Sequence, residues 1–274
     1  MLTRFAPAPT GWLHLGHVLN AEYVWGGNHR TILRIEDHDR ERCRPEYEAG
    51  ILEDLAWLGY LPDFPFVRQS DRHALYHRAA QTLIARGLVY GCDCTRRQIE
   101  SPGAASGELV YSGRCRDRRL PIADGVGWRV RMDPGIETFD DVLVGPQAQD
   151  PSRQCGDVLI RDRLGNWTYQ FAATVDDFEQ GIDLVIRGVD LLESTGRQIR
   201  LARLLGRERP AMFMHHPLLM KTPSQKLSKS DGDTGVRALA SAGWTRDRIL
   251  AEAARLSSFQ AIAETDPQSW VPPR

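Results

Sequence analysis

The chain has 274 residues, 42% of them hydrophobic, and sets 35 Lys and Arg against 36 Asp and Glu for a formal net charge of −1. That balance suits a folded chain of one large or two modest domains and excludes a disordered polyelectrolyte or a wholly basic nucleic-acid coat, though not a local basic patch. No apolar run reaches the roughly 18 residues of a membrane helix, no signal-peptide core opens the chain, and five cysteines are an odd count for a disulfide framework, so a cytoplasmic protein is expected.

Residues 2–6 read as a short strand that runs into the turn Pro7-Ala8-Pro9-Thr10-Gly11. Leu15, Val18, Leu19 and Tyr23 then recur at helical spacing before Gly26-Gly27, and Thr31 to Ile35 forms a second strand ending in Glu36-Asp37. A helix starting at Pro45 presents Tyr47, Ile51, Leu52, Leu55 and Leu58 and stops at Gly59, and Ser70 is placed to cap another carrying Leu75, Ala79, Leu83 and Ile84. Strand, helix, strand, helix is the order of a parallel α/β sheet. Between about 91 and 155 the rhythm breaks. Four of the five cysteines, the loop Ser101 to Gly107 and the alternation Trp128-Arg129-Val130-Arg131-Met132 predict an insertion with its own small fold. The α/β rhythm is expected to resume with a strand at Asp157 to Arg161, a helix at Tyr169 to Asp177, the buried strand Leu184-Val185-Ile186 and a helix from Leu191 to Leu205. A lysine-bearing loop and a short amphipathic helix near Arg246 to Leu256 follow. The predicted organisation is 1–90 and 156–206 as halves of one α/β domain, 91–155 as the insertion, and 207–274 as a loop-and-helix segment.

Two segments carry chemistry. His14-Leu15-Gly16-His17 opens a predicted helix, where backbone N–H groups and the helix dipole attract anions and two imidazoles three residues apart share a face. Some 210 residues later stands Lys226-Leu227-Ser228-Lys229-Ser230. The chain has only three lysines, Lys221, Lys226 and Lys229, all within nine residues, while every other Lys or Arg position is arginine. Compact ammonium groups on flexible stems can follow charge that shifts along a triphosphate during adenylyl transfer.

These two segments resemble the HIGH and KMSKS signatures of class I aminoacyl-tRNA synthetases. The likeness narrows to the glutamyl group through Arg4-Phe5-Ala6-Pro7-Ala8-Pro9-Thr10-Gly11, Arg34-Ile35-Glu36-Asp37, Trp167-Thr168-Tyr169-Gln170-Phe171 and Ile186-Arg187-Gly188-Val189-Asp190-Leu191. It implies a Rossmann-like parallel-sheet catalytic domain with a zinc-bearing insertion and a short C-terminal helical segment. Only 44 residues follow Ser230, fewer than the anticodon-gripping domain of full-length relatives needs, so the short glutamyl-queuosine tRNA(Asp) synthetases are the subfamily resembled. The resemblance implies a monomeric ligase using ATP and Mg²⁺, with L-glutamate and queuosine-bearing tRNA(Asp) as substrates. It assigns catalysis to His14, His17 and Lys229, and ATP binding to His14, Gly16, His17, Lys226 and Lys229. Glutamate binding falls to Arg4, Phe5, Ala6, Pro7, Ala8, Glu36, Tyr169 and Arg187, with Ala8 standing where the family commonly has serine. A truncated glutamyl-tRNA synthetase charging tRNA(Glu), a ligase of activated amino acid to a small-molecule amine, and a non-catalytic RNA-binding relative are the alternatives.

The same family carries a Cys-x-Cys…Tyr-x-x-x-Cys zinc site, here Cys92, Cys94, Tyr111 and Cys115. On residue chemistry alone, three thiolates and one further ligand fit tetrahedral zinc, with Cys155 or Asp93 open as the fourth and free buried thiols as the plain alternative. Cys43 and Cys155 receive no role. Two arginines match the two carboxylates of glutamate, an anion at Glu36 suits its α-ammonium, and Tyr169 offers a hydroxyl or fills a core. Arg96, Arg97, Arg114, Arg116, Arg118 and Arg119 form either a hold for an RNA backbone or a solvated face.

Overall fold

The structure is a computed structural model that describes residues 1–27, 29–39, 41–99, 110–222, 225–226 and 235–264. The chain forms two compact units, one of residues 1–68, 182–191 and 213 onward, the other of residues 69–181 and 192–212.

The first unit starts with β1 (Leu2–Phe5), α1 (Leu15–Gly26), β2 (Arg30–Ile35), α2 (Pro45–Leu58) and β3 (Val67–Arg68). β1, β2 and β3 are parallel neighbours, with Arg4 opposite Ile32 and Arg34 opposite Val67. Pro45 opens α2, where its missing N–H costs nothing, and Gly59 closes it in the left-handed conformation (φ 80°).

The second unit contains α3 (His73–Ala85), β4 (Val89–Cys92), α4 (Arg96–Ile99), β5 (Gly127–Val130), β6 (Glu137–Asp141), β7 (Gly145–Gln149), α5 (Pro151–Gln154), β8 (Val158–Arg161) and α6 (Tyr169–Glu179). After β9 (Leu184–Gly188) in the first unit and α7 (Thr195–Leu204) in the second come β10 (Met212–His216), β11 (Met220–Thr222), β12 (Gln225–Lys226), α8 (Val236–Ser241) and α9 (Arg246–Glu264). The core of the first unit gathers Phe5, Leu13, Val18, Leu33, Ile35, Ile51, Leu55, Leu184 and Ile186, so both faces of its strands are covered, as a parallel sheet requires. Tyr76, Leu83, Val130, Ile160, Phe171 and Val175 form a separate core in the second.

Three expectations differ from the fold. The strand over 158–161 pairs antiparallel with β5, which itself pairs antiparallel with β4, so it belongs to a small three-stranded sheet and does not continue the parallel rhythm. Ser70 lies inside a 3₁₀ turn over Gln69–Arg72, and α3 starts at His73 without a side-chain cap. The last helix runs on from Arg246 to Glu264, beyond the amphipathic stretch that the sequence marks. No helix among the described residues is long and apolar enough to cross a membrane.

Candidate active site and metal centre

His14 is the N-cap of α1. Its Nδ1 accepts the Gly16 N–H at 3.0 Å, and the His17 Nδ1 accepts the His14 N–H at 3.2 Å, so each ring satisfies a donor that the helix start leaves over. With Nδ1 accepting, each neutral ring carries its proton on Nε2. The two rings lie 4.0 Å apart between centroids. Two imidazole N–H donors beside the positive end of a helix form a site suited to phosphate oxygens. The space that a Cβ on Gly16 would take is filled by the His14 ring, 2.9 Å from its Cε1, and this explains glycine between the two histidines.

Arg4, Glu36 and Arg187 lie on or just beyond neighbouring strands of the same unit. Arg4, 4% exposed, donates from Nη1 to the Ile186 carbonyl at 3.0 Å, which ties β1 to the residue before Arg187. Glu36 follows β2, and its N–H donates to the Pro7 carbonyl at 3.0 Å. That bond, with Arg44 N–H on the Pro9 carbonyl at 3.0 Å, pins the turn containing Ala6, Pro7 and Ala8 against the end of β2 and the start of α2. The Glu36 carboxylate accepts from the fully buried Arg34 Nη2 at 3.2 Å. Phe5 lies in the core, 5.2 Å from Trp25 between ring centroids. Arg187 donates from Nε to His215 Nε2 at 3.0 Å and from Nη2 to the Leu191 carbonyl at 3.3 Å, with its guanidinium 5.5 Å from the Phe213 ring centre. Burying two arginines and a glutamate on adjacent strands demands such partners, because an unpaired buried charge is strongly destabilising. Lys226 lies in β12, opposite Met220 of β11, whereas Lys229, with Ser228 and Ser230, lies outside the described residues. Tyr169 is the first residue of α6, in the second unit.

The second unit holds the cysteine cluster. Cys92, Cys94 and Cys115 have their sulfurs within 4.8 Å of one another, Cys94 and Cys115 being 3.5 Å apart. The Tyr111 hydroxyl stands 3.5 Å from the Cys92 sulfur and 3.9 Å from that of Cys94, and accepts the Cys115 N–H at 2.9 Å. A zinc ion with sulfur ligands at about 2.3 Å and oxygen at about 2.0 Å sets sulfur–sulfur edges near ~3.8 Å and sulfur–oxygen edges near ~3.5 Å, so these four side chains fit tetrahedral zinc with little movement. Cys155 is turned away, donating to the Pro151 and Gly156 carbonyls at 3.2 and 3.3 Å. Asp93 reaches Cys115 Sγ at 3.4 Å but also accepts a bidentate pair from Arg118.

Cations close the cluster. Arg129, 6% exposed, donates from Nε to Cys92 Sγ at 3.3 Å and from Nη1 to the Asp157 carbonyl at 2.7 Å, and stacks its guanidinium 3.7 Å from the centre of the Tyr111 ring. Arg118 Nη1 lies 3.4 Å from Cys115 Sγ. Burial alone raises the Cys92 thiol, but hydrogen bonding to Tyr111 and Arg129 outweighs it and holds Cys92 below the ordinary thiol range. Cys94 is pushed up to about 11 by burial and by its hydrogen bond with Cys115. Of the six basic residues of this region, Arg116 pairs with Asp157 and Arg118 with Asp93, while Arg96, Arg97, Arg114 and Arg119 are exposed. Arg34, Arg129 and His215 escape sequence reasoning as site residues. Arg129 had a faint signal, a cation within an otherwise apolar strand.

The family model "tRNA synthetases class I (E and Q), catalytic domain" matches residues 1–261. A glutamyl-Q tRNA(Asp) synthetase of Bordetella bronchiseptica is 43% identical over 239 residues, 84% of this chain and 75% of its own. One of Rhodobacter capsulatus is 39% identical over 255 residues, 84% of this chain and 91% of its own. A glutamate tRNA ligase of Elizabethkingia meningosepticum, solved in complex with its amino acid, superposes with a TM-score of 0.72 at 31% identity, covering 85% of this chain, which spans only 52% of that one. By sequence and by fold, the chain belongs to the class I tRNA synthetases (E and Q), within their glutamyl-Q tRNA(Asp) synthetase group.

Proposed function

We propose that the protein activates L-glutamate with ATP and transfers it to queuosine at the first anticodon position of tRNA(Asp). The observation that carries this reading is the 43% identity to a glutamyl-Q tRNA(Asp) synthetase across most of both chains. The buried Arg4–Glu36–Arg187 group supports it by offering charges of the signs that an amino acid with two carboxylates needs.

In the first step a glutamate α-carboxylate oxygen attacks the α-phosphorus of ATP, the bond to the bridging oxygen breaks, and pyrophosphate leaves. Arg4 and Arg187 hold the carboxylates, Glu36 the α-ammonium, Tyr169 adds a hydroxyl, and the backbone from Phe5 to Ala8 lines the amino acid. His14, His17 and the N–H groups around Gly16 steady the phosphates, and Lys226 and Lys229 meet charge on the leaving pyrophosphate. Mg²⁺, when bound, neutralises phosphate charge. In the second step a queuosine hydroxyl attacks the activated carbonyl and AMP departs. No side chain forms a covalent bond, so positioning and electrostatics supply the rate. Cys92, Cys94, Cys115 and Tyr111 would hold zinc, which would cross-link the second unit. The enzyme acts in the cytoplasm as a monomer.

The test is transfer of labelled glutamate, with ATP and Mg²⁺, onto tRNA from cells able or unable to make queuosine. Label confined to the queuosine-bearing pool is expected. Equal label on both pools overturns the assignment in favour of charging at the 3′ end.

A further inference from the structure

We infer that His215 is a positioning residue that sets the guanidinium of Arg187 for the substrate carboxylate, an inference that rests on the proposed role of Arg187 in holding glutamate. Arg187 sits in β9, and β10 is its hydrogen-bonded neighbour. Phe213 and His215 are two residues apart on β10 and so project from one face of the sheet. Their rings are nearly parallel, 10° apart in plane with centroids at 6.1 Å. The guanidinium of Arg187 contacts both, with Phe213 at 5.5 Å and the His215 Nε2 accepting its Nε–H at 3.0 Å.

The chemistry of this contact has one solution. Arginine is always protonated and donor-only, so His215 must be neutral, with its proton on Nδ1 and a lone pair on Nε2. That is the tautomer opposite to the one the cap geometry gives His14 and His17. His215 is 1% exposed and Arg187 is 4% exposed, so neither partner can exchange this bond for water. An arginine side chain has four rotatable bonds and a planar fork, and bidentate recognition of a carboxylate requires both plane and direction to be set beforehand. Holding Nε from one side and Nη2 at the Leu191 carbonyl sets both. Because the acceptor is a neutral imidazole, this contact orients the guanidinium of Arg187 without itself neutralising it. A carboxylate in the place of His215 would hold the fork equally well and abolish its attraction for glutamate.

The experiment compares His215→Leu, which keeps volume and removes the acceptor, with His215→Gln, whose Oε1 can replace Nε2. Glutamate-dependent ATP–pyrophosphate exchange is measured on the full chain. Loss of a buried hydrogen bond to a charged group predicts that His215→Leu raises KM for glutamate about tenfold, with KM for ATP and kcat nearly unchanged, and that His215→Gln restores a value close to that of the unaltered protein. A rise of less than about threefold in His215→Leu, or a His215→Gln protein impaired as much as His215→Leu, overturns the positioning role. Should His215→Leu fail to fold, the nitrogen resonances of the histidine-labelled unaltered protein decide. An unprotonated Nε2 that disappears in His215→Gln supports the role, and a protonated Nε2 overturns it. No glutamate-dependent exchange in the unaltered protein would instead overturn the proposed function itself.

Discussion

Two buried arginines, one in each unit, are held by nearly the same device and put to different ends. Arg187 and Arg129 are 4% and 6% exposed, each packs its guanidinium on an aromatic ring, and each donates Nε to a side-chain acceptor and another nitrogen to a backbone carbonyl. The difference is the acceptor. His215 is a neutral imidazole, which orients Arg187 and takes none of its charge. Cys92 is a thiol held below its ordinary range in a cluster with Tyr111, Cys94 and Cys115, side chains that would be anionic with zinc bound, so Arg129 stands where it would balance that charge. With zinc bound, three thiolates, a phenolate and Zn²⁺ would sum to two negative charges, and Arg129 and Arg118 each place a nitrogen beside a cysteine sulfur. A buried arginine can serve as a ligand site or as a structural counter-charge, according to what its Nε touches.

The largest expected effect separates these roles outright. Arg187→Leu removes one of the two buried arginines proposed to hold the carboxylates of glutamate, and kcat/KM for glutamate in pyrophosphate exchange should fall by about 10²–10³-fold, with the zinc content of the purified protein unchanged. Arg129→Leu should do the reverse. Glutamate activation persists while zinc is present, but competition with a chromogenic chelator should show zinc affinity lowered by about 10–100-fold, as for other groups that support metal ligands from behind. If Arg129→Leu binds zinc as well as the parent, its contact with Cys92 is packing alone and the counter-charge account fails.

Removing the metal bears on the same contrast at a smaller scale of activity. Chelation, or Cys94→Ser, should destabilise the second unit by about 4 kcal/mol or more, read as an early step in thermal unfolding, since among the described residues the cysteine cluster packs with just Tyr90, Tyr111, Ile99 and Leu120. A single unfolding step unchanged by chelator would show that those apolar contacts suffice.

What could be read from the sequence divides along the same line. Placements that depend on spacing were legible: His14 and His17 three apart at a helix start, Cys92 and Cys94 together in one cluster, Pro45 and Gly59 bounding α2. Residues whose role depends on a partner far along the chain were not. Arg129 and Cys92 are brought together by antiparallel pairing of β4 with β5, and nothing near Arg129 in sequence announces a thiol opposite. His215 looks like an ordinary polar residue in a short strand until β9 is placed beside β10. The strand over 158–161 was misplaced for a related reason, because four apolar-rich residues specify a strand but not the direction of its neighbour.

The smallest effect is the most discriminating, because it retains charge and changes only shape. A lysine at either position keeps one positive charge but lacks the Nε–H that points sideways from a guanidinium, and cannot stack a planar fork on a ring. At 187 geometry is what matters, so Arg187→Lys should remain at least about 10-fold impaired in kcat/KM for glutamate, since a point charge cannot replace two parallel hydrogen bonds to a carboxylate. At 129 the need is for charge beside sulfur, and Arg129→Lys should lose less than about tenfold in zinc affinity, the lower end of what second-layer changes cost. Equal impairment of the two lysine variants, each on its own assay, would mean that Arg129 is required for its shape, through Tyr111 and the Asp157 carbonyl, and that the two arginines differ less than their acceptors imply. Parent-like glutamate kinetics in Arg187→Lys would locate carboxylate recognition elsewhere, with Arg4, held at the Ile186 carbonyl on the adjacent strand, as the residue to change next.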